Sequence, residues 1–223
     1  MNNHTQLQKI ATNKLQPQGI IFFILAIIGA SAILVTGSNQ SLFISINAQH
    51  GLLPDWLWLT FNFFSYSKFF LVPIILIALT YLKRRELLPN VVLTIVAYFI
   101  IFAALKHLVG EARPYMVLPE DSFYWLNRYE DAAKSAYLSF PSGHTGNMAI
   151  FAFSLNVLFF SNKRGLQFLM LILVVLTALA RICTGWHWPL DVLTSGIIGY
   201  IIVKLCFAIN LRKFCFKKKA SCE

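Results

Sequence analysis

Three short stretches of this chain contain residue types that can bind and cleave a phosphate. They are "KHLVGEARPY", with Lys106 and Arg113; "SFPSGHTGNMAIF", with Ser142, Gly143 and His144; and "ARICTGWHWPLD", with Arg181, His187 and Asp191. Cations and backbone N–H groups stabilise phosphate oxygens, and two histidines can supply a nucleophile and a proton donor. Together the stretches predict phosphoryl chemistry, provided that the fold brings them together.

In the first stretch the two cations are seven residues apart, which is about two helical turns. Lys106 and Arg113 are therefore predicted to share one helix face, although Pro114 disfavours helix at Arg113 and beyond. An alternative stays open, in which Lys106 extends to a membrane boundary and Arg113 is an ordinary loop charge.

The second stretch predicts a helix N-terminus. Ser142 and Gly143 precede an apolar run, so free N–H groups and the positive end of the helix dipole would face an anion there. Glycine also lets an anion approach the backbone closely. The alternative is an ordinary helix cap followed by a boundary histidine, His144.

The third stretch joins two apolar runs. Arg181 ends the first, and His187 and Asp191 open the second at i, i+4, which predicts that imidazole and carboxylate share a helix face. A carboxylate that accepts from one ring nitrogen leaves the other nitrogen as nucleophile or base. A salt bridge that only joins two helices is the alternative. Trp186 and Trp188 are predicted to be interfacial anchors.

The rest of the chain is that of a polytopic membrane protein. Hydrophobic residues make up 57% of it, charged residues 13%, and the mean hydropathy is +0.65. Because a span needs roughly 20 apolar residues, the expected fold is all-α with six transmembrane helices: 19–36, 66–82, 89–108, 145–161, 166–182 and 189–209. Residues 54–64 are predicted as an interfacial amphipathic helix rather than a seventh span.

The basic residues predict how these spans are oriented. With six spans, all the basic clusters fall on one side: Lys9 and Lys14; Lys83, Arg84 and Arg85; Lys163 and Arg164; and Arg212, Lys213, Lys217, Lys218 and Lys219. The positive-inside rule makes that side cytoplasmic. We therefore expect one membrane-embedded domain over 1–223, with a cytoplasmic lead-in at 1–18 and a basic cytoplasmic tail at 210–223. The outer segments are then 37–65, 109–144 and 182–188, and the three polar stretches meet there.

The net charge of +10 and the cysteines bear on partners and cofactors. Because the basic residues lie between apolar runs, they favour anionic lipid headgroups over nucleic acid as the partner. The four cysteines lack metal-type spacing, and no cluster of carboxylates or Cys/His ligands is evident. No metal or other cofactor is expected, and the oligomeric state stays open.

Taken in order, the three stretches resemble a known signature. Lys106-x6-Arg113-Pro114, Pro141-Ser142-Gly143-His144 and Arg181-x5-His187-x3-Asp191 are similar to the three motifs of the type 2 phosphatidic acid phosphatase superfamily. The text "GWHWPLD" and the loop "SFYWLNRYE" look most like its bacterial phosphatidylglycerophosphatase B branch. One departure is Ala180, where the family usually has serine before the arginine.

The resemblance implies a role for each site residue. His187 attacks phosphorus to form a phosphohistidine, Asp191 orients it, and His144 protonates the leaving lipid oxygen and then activates water. The phosphate-binding residues implied are Lys106, Arg113, Ser142, Gly143 and Arg181. The implied substrate is a lipid phosphate at the outer leaflet of a bacterial inner membrane, with phosphatidylglycerol phosphate and undecaprenyl diphosphate favoured and the phosphates of lipid A as an alternative.

Three other classes fit the sequence less well. A transporter should carry its charges at mid-span, whereas these gather on one face. Vanadate-type haloperoxidases share the signature, but such relatives are soluble. A non-catalytic lipid-phosphate-binding protein does not need paired histidines. In the outer loop 115–140, the aromatic residues are expected either to gate lipid entry or simply to anchor the loop: Tyr115, Phe123, Tyr124 and Trp125.

Overall fold

All regular secondary structure in the described part of the chain is helical. The computed structural model describes residues 17–66, 71–126 and 135–209, so most of the predicted lead-in and the predicted basic tail lie outside it. The α-helices are α1 Pro17–Thr36, α2 Asn39–Asn47, α3 Asp55–Ser65, α4 Leu71–Lys83, α5 Leu88–Val109, α6 Pro114–Val117, α7 Gly143–Leu158, α8 Arg164–Cys183 and α9 Pro189–Ala208. The expected all-α class is confirmed for these residues.

A helix occupies each of the six predicted spans, but their lengths differ. Four stretches are long and apolar enough to cross a membrane: α1, α8, α9 and the stretch Arg85–Val117, which contains α5. Helix α4 has 13 residues and α7 has 16, both short for an untilted crossing of about 30 Å. The chain is thus a multi-pass membrane protein, and the count of six spans stays a prediction.

Side-chain contacts define two opposite ends of the helix bundle. At one end, Lys106 near the end of α5 bonds the Pro141 carbonyl just before α7, at 2.7 Å. At the other end, Asn90 near the start of α5 bonds the Cys206 carbonyl near the end of α9, at 2.7 Å. All three sequence stretches with phosphate chemistry therefore lie at the first end.

Helix α7 is the centre of the bundle, and small residues allow its close packing. A Cβ on Gly199 of α9 would lie 2.7 Å from the Ala149 Cβ of α7, and a Cβ on Gly146 would overlap the Phe102 ring of α5. In membrane proteins such small residues let helix backbones approach closely. The start of α7 is consequently held between α5 and α9, which carry the other two stretches.

The segment between α1 and α4 contains two α-helices where the sequence predicted one. Helix α3 matches the predicted amphipathic helix 54–64, with Trp58 buried and Trp56, Phe63 and Phe64 exposed. Helix α2 was not predicted. Its Phe43 is fully buried against Trp188, with ring centroids 5.1 Å apart. This segment therefore covers the end of α8 and the start of α9, and the interfacial position of α3 stays a prediction.

Candidate active site

The first stretch contains a sharp turn between its two cations. Helix α5 ends at Val109, because Gly110 takes a left-handed conformation with φ 61°. Arg113 is extended, and Pro114 opens the short helix α6 at its first position, where proline is favoured. The prediction that Lys106 and Arg113 share a helix face is therefore wrong. The expectation that Pro114 disfavours helix is confirmed at Arg113 and wrong beyond it.

Both cations nevertheless reach the same loop, which precedes α7. The Lys106 Nζ donates to the carbonyls of Leu138 and Pro141, each at 2.7 Å. The Arg113 Nε donates to the Ser135 carbonyl at 2.8 Å, and its guanidinium is buried. These bonds fix the loop and point both cations toward the N-terminus of α7.

The second stretch forms the helix N-terminus that the sequence predicts. Ser142 is the N-cap and α7 begins at Gly143, two residues before the predicted span. The first-turn N–H groups of a helix lack acceptors within the helix. A Cβ on Gly143 would lie 3.9 Å from the Lys106 Cε, and the Gly143 carbonyl accepts from the Tyr98 hydroxyl at 2.7 Å. An anion at this terminus therefore also meets Lys106.

In the third stretch the histidine and the carboxylate are in contact, although not on one helix face. Helix α9 begins at Pro189, after His187, which makes the predicted shared face wrong. The Asp191 Oδ2 lies 3.2 Å from the His187 Nδ1 and accepts from the Trp188 backbone N–H at 3.0 Å. Asp191 thus caps its own helix and orients the imidazole that precedes it.

The hydrogen bonds around His187 define its tautomer. Its Nε2 lies 3.2 Å from the Arg113 Nη1, which can only donate, so Nε2 must carry the lone pair and Nδ1 the proton. Burial, followed by the nearby charges of Arg113 and Arg181, holds the pKa of His187 well below its ordinary 6.5. The ring is therefore neutral near pH 7, with a nucleophilic nitrogen beside a cation.

The remaining cation and the second histidine complete the site. Arg181 is buried in the last turn of α8, and its guanidinium carbon lies 5.5 Å from the centre of the Trp186 ring. His144 stacks on Tyr66 with ring centroids 5.3 Å apart. Both histidines interact electrostatically with Lys106, Arg113 and Arg181. The structure thus brings together all eight residues singled out in the sequence.

The two tryptophans beside His187 are not lipid-facing anchors, and that prediction is wrong. Trp186 and Trp188 are only 2% and 5% exposed. The Trp188 indole donates to the Ala112 carbonyl at 2.8 Å, and the Trp186 indole donates to the Leu126 carbonyl at 3.0 Å. Both bonds join the loop of His187 to the outer segment 109–144.

The outer loop packs onto this site with its aromatic residues. Tyr115 stacks on Trp125 with centroids 4.4 Å apart, and both rings meet Trp186 edge-on at 5.6 and 5.8 Å. Tyr124 stacks on His50 at 3.9 Å. The described part of the loop is therefore a layer over Trp186, while residues 127–134 lie outside the described chain.

Three residues near the site were not predicted from the sequence. The Ser139 hydroxyl donates to the Asp191 Oδ2 at 2.6 Å, and the Glu111 carboxyl lies close enough to Asp191 for the two groups to interact electrostatically. Asn47 donates to the carbonyls of Ile182 and Cys183 and so fixes the end of α8. Ser139 and Glu111 lie within three residues of the predicted Ser142 and Arg113, whereas no feature of the sequence around Asn47 indicates a role at the site.

Comparison with known proteins now identifies the family. A family model described as "PAP2 superfamily" matches residues 87–215, more than half of the chain and the part that contains all three stretches. This chain belongs to the PAP2 superfamily. It is 27% identical over 200 residues to the Escherichia coli (strain K12) protein named "Putative undecaprenyl-diphosphatase YbjG", covering 78% of this chain and 95% of that one. It is 25% identical to the "Undecaprenyl-diphosphatase" of Sulfolobus acidocaldarius, over 57% of each chain.

Solved structures agree with this PAP2 assignment. The crystal structure of Aquifex aeolicus LpxE matches with a TM-score of 0.61 and 25% identity, over 77% of this chain and 95% of that one. A PAP2-type phosphatidylglycerolphosphate phosphatase from Bacillus subtilis matches in fold with a TM-score of 0.60 and 21% identity, over 84% and 93%. The protein is accordingly a membrane-embedded phosphatase of the PAP2 type with a lipid substrate.

Proposed function

We propose that this protein removes phosphate from a membrane lipid phosphate or diphosphate without a metal, through a phosphohistidine on His187. The observation that carries the proposal is the geometry of that imidazole. Its Nδ1 is held by Asp191 at 3.2 Å, and its Nε2 faces the Arg113 guanidinium at 3.2 Å. A phosphate bound to Arg113 would lie beside the lone pair that attacks it.

In the proposed first step the His187 Nε2 forms a bond to phosphorus while the bond from phosphorus to the lipid oxygen breaks. His144, which takes up a proton when the anionic phosphate binds beside it, gives that proton to the departing oxygen. The cations Lys106, Arg113 and Arg181, with Ser142 and the N–H groups at Gly143, bind the phosphate oxygens as charge develops on them. This charge compensation by the protein is the reason to expect no metal requirement.

In the proposed second step water attacks the phosphohistidine. His144, now neutral, accepts a proton from that water as the new P–O bond forms and the P–N bond breaks. Inorganic phosphate leaves, and both histidines return to their starting states. Asp191 stabilises the positive charge on His187 as the nitrogen takes up and loses phosphorus, which is the role of an orienting carboxylate.

An apolar groove beside the site supports a lipid substrate. It has a volume of about 420 Å³ and runs between α1, α2, α8 and α9, from Phe22 in α1 to Thr145 in α7 and Pro189 in α9. Thr145 is hydrogen-bonded to Ser142 at 3.2 Å, so one part of the groove borders the phosphate-binding turn. We place one hydrocarbon chain of the substrate there, with its phosphate on the α7 terminus.

Among lipid phosphates we favour undecaprenyl diphosphate, ahead of phosphatidylglycerol phosphate. The supporting facts are the two relatives whose names contain undecaprenyl-diphosphatase, one of them matched over 95% of its length. In this proposal six helices cross the inner membrane of a bacterium, and both termini are cytoplasmic. The site then faces the outer leaflet, where it meets lipid diphosphates exposed on that side.

The test is phosphate release by the purified protein in detergent. The substrate panel contains undecaprenyl diphosphate, phosphatidylglycerol phosphate, phosphatidic acid and lipid A, each with EDTA present. His187→Ala should lower kcat by about 10⁴-fold or more, because it removes the nucleophile. The matched control is His107→Ala, which removes an exposed histidine next to Lys106 and should leave kcat unchanged.

The outcomes separate the parts of the proposal. Fastest release from undecaprenyl diphosphate supports the substrate assignment, and fastest release from lipid A or phosphatidylglycerol phosphate replaces it. Full activity of His187→Ala contradicts the mechanism. Loss of wild-type activity in EDTA, restored by added metal, contradicts the metal-free chemistry.

A further inference from the structure

One carboxyl group at the site is not used by the proposed mechanism. Glu111 follows the Gly110 turn at the end of α5, and its backbone carbonyl accepts from the Ser139 N–H at 3.0 Å. Its side chain lies beside the Asp191 carboxyl, and burial followed by that neighbouring charge raises the pKa of Glu111 to about 8. Two carboxyl groups in such contact cannot both be ionised, so they must share a proton.

The other contacts of Asp191 indicate which group holds that proton. Its Oδ2 faces three donors: the Ser139 hydroxyl at 2.6 Å, the Trp188 N–H at 3.0 Å and the His187 Nδ1 at 3.2 Å. Donors favour the ionised form of a carboxyl group. Asp191 is therefore the carboxylate, and Glu111 is the neutral acid.

The second oxygen of Asp191 needs a donor of its own. Its Oδ1 is buried, and no N–H or hydroxyl of the described residues donates to it. An unsatisfied buried carboxylate oxygen is costly. A protonated Glu111 is the group in contact with Asp191 that can supply this bond.

We infer that Glu111 is a positioning residue: as a neutral acid it donates a hydrogen bond to the Asp191 Oδ1 and thereby holds the carboxylate that orients His187. The inference rests on the proposed role of His187 as the nucleophile. Glu111 itself does not touch the phosphate, so its loss should act on kcat more than on KM.

The test compares two substitutions at this position. Glu111→Ala removes the donor and should lower kcat by about tenfold to a hundredfold, the effect of losing one hydrogen bond to a charged group, with little change in KM. Glu111→Gln keeps a donor of similar shape and should recover most of that kcat. The matched control is Glu86→Ala at the opposite end of α5, where the carboxylate pairs with Arg84 at 3.9 Å; its kcat should equal that of the wild type.

A second measurement reads the protonation directly. The infrared spectrum of the wild type near pH 7 should contain the carbonyl band of a neutral carboxylic acid, and Glu111→Gln should lack it. The inference is overturned if that band is absent from the wild type, if Glu111→Ala keeps full kcat, or if Glu111→Gln is as slow as Glu111→Ala. Assaying His187→Ala in parallel separates the two proposals, since an active His187→Ala overturns the proposed mechanism, whereas the Glu111 variants test only the positioning role.

Discussion

The hydroxyl of Ser139 provides a sharp test of the site geometry. It is fully buried and donates the shortest bond to Asp191, at 2.6 Å. Ser139→Ala removes that donor and leaves two others on the same oxygen, from Trp188 and His187. We therefore expect a folded protein whose carboxylate is less well fixed and whose His187 is less often aligned with phosphorus.

The magnitude follows from the type of bond that is lost. A hydrogen bond to a charged group contributes about 1.5–3 kcal/mol. If most of this loss falls on the transition state, kcat should decrease by about tenfold to a hundredfold. The assay is initial-rate phosphate release from undecaprenyl diphosphate in detergent, with thermal unfolding measured on the same samples.

The matched control for this experiment is Ser154→Ala in α7. Ser154 is also fully buried, but its hydroxyl has no hydrogen-bond partner among the described residues. Both substitutions delete the hydroxyl oxygen of a fully buried serine, but only Ser139→Ala removes a hydrogen bond to Asp191. Wild-type kcat in Ser139→Ala, or an equal loss in Ser154→Ala, would refute the positioning role of this bond.

Three further predictions concern the groove, the nucleophile and the metal. Ala178→Phe narrows the apolar groove and should raise KM for long-chain lipid phosphates but not for a water-soluble phosphate ester. The control Ile172→Phe, on the exposed side of α8, should change neither KM. If Ala178→Phe and the wild type have equal KM values for the long-chain lipid, the groove does not bind the lipid chain. Because the pKa of His187 lies well below 6.5, its ring nitrogen NMR signals at pH 6.5 should be those of a neutral imidazole. The signals are assigned by their absence from His187→Ala. A charged imidazole at pH 6.5 would count against the buried geometry. Dialysis against EDTA should leave kcat unchanged, because Lys106, Arg113 and Arg181 compensate the phosphate charge; a metal-restorable loss would disprove this.

The residues proposed from the sequence come together in the structure, and they could be recognised because each of the three stretches is a local pattern. Ser142 and Gly143 before an apolar run mark a helix N-terminus, and the structure places α7 there. The apolar runs likewise predict the long helices to within a few residues. The family assignment follows from the order of the three stretches and is confirmed by the PAP2 match over residues 87–215.

The sequence-based predictions are wrong where a turn or a tertiary contact determines the local structure. Gly110 ends α5 in a left-handed conformation, so Arg113 leaves the helix on which its spacing from Lys106 placed it. Pro189 starts α9 two residues after His187, and the pairing with Asp191 arises from a helix cap instead of a helix face. Trp188 is buried because the unpredicted helix α2 brings Phe43 against it.

Other contacts leave no trace in the local sequence. Asn47 bonds the Ile182 carbonyl across 135 residues of chain, and Ser139 bonds Asp191 across 52. No periodicity or motif marks such pairs, because they depend on how the helices pack. The supporting residues of the site were therefore found only in the structure, whereas the phosphate-binding and catalytic residues were proposed from the sequence.

The most direct test of the central claim is to trap the covalent intermediate. Wild-type protein is mixed with undecaprenyl diphosphate labelled in its terminal phosphate, quenched in base during turnover and digested for mass spectrometry. The proposed mechanism predicts a labelled phosphoryl group on His187 that is absent from His187→Ala. Turnover without label at His187, or label on a different residue, would contradict it.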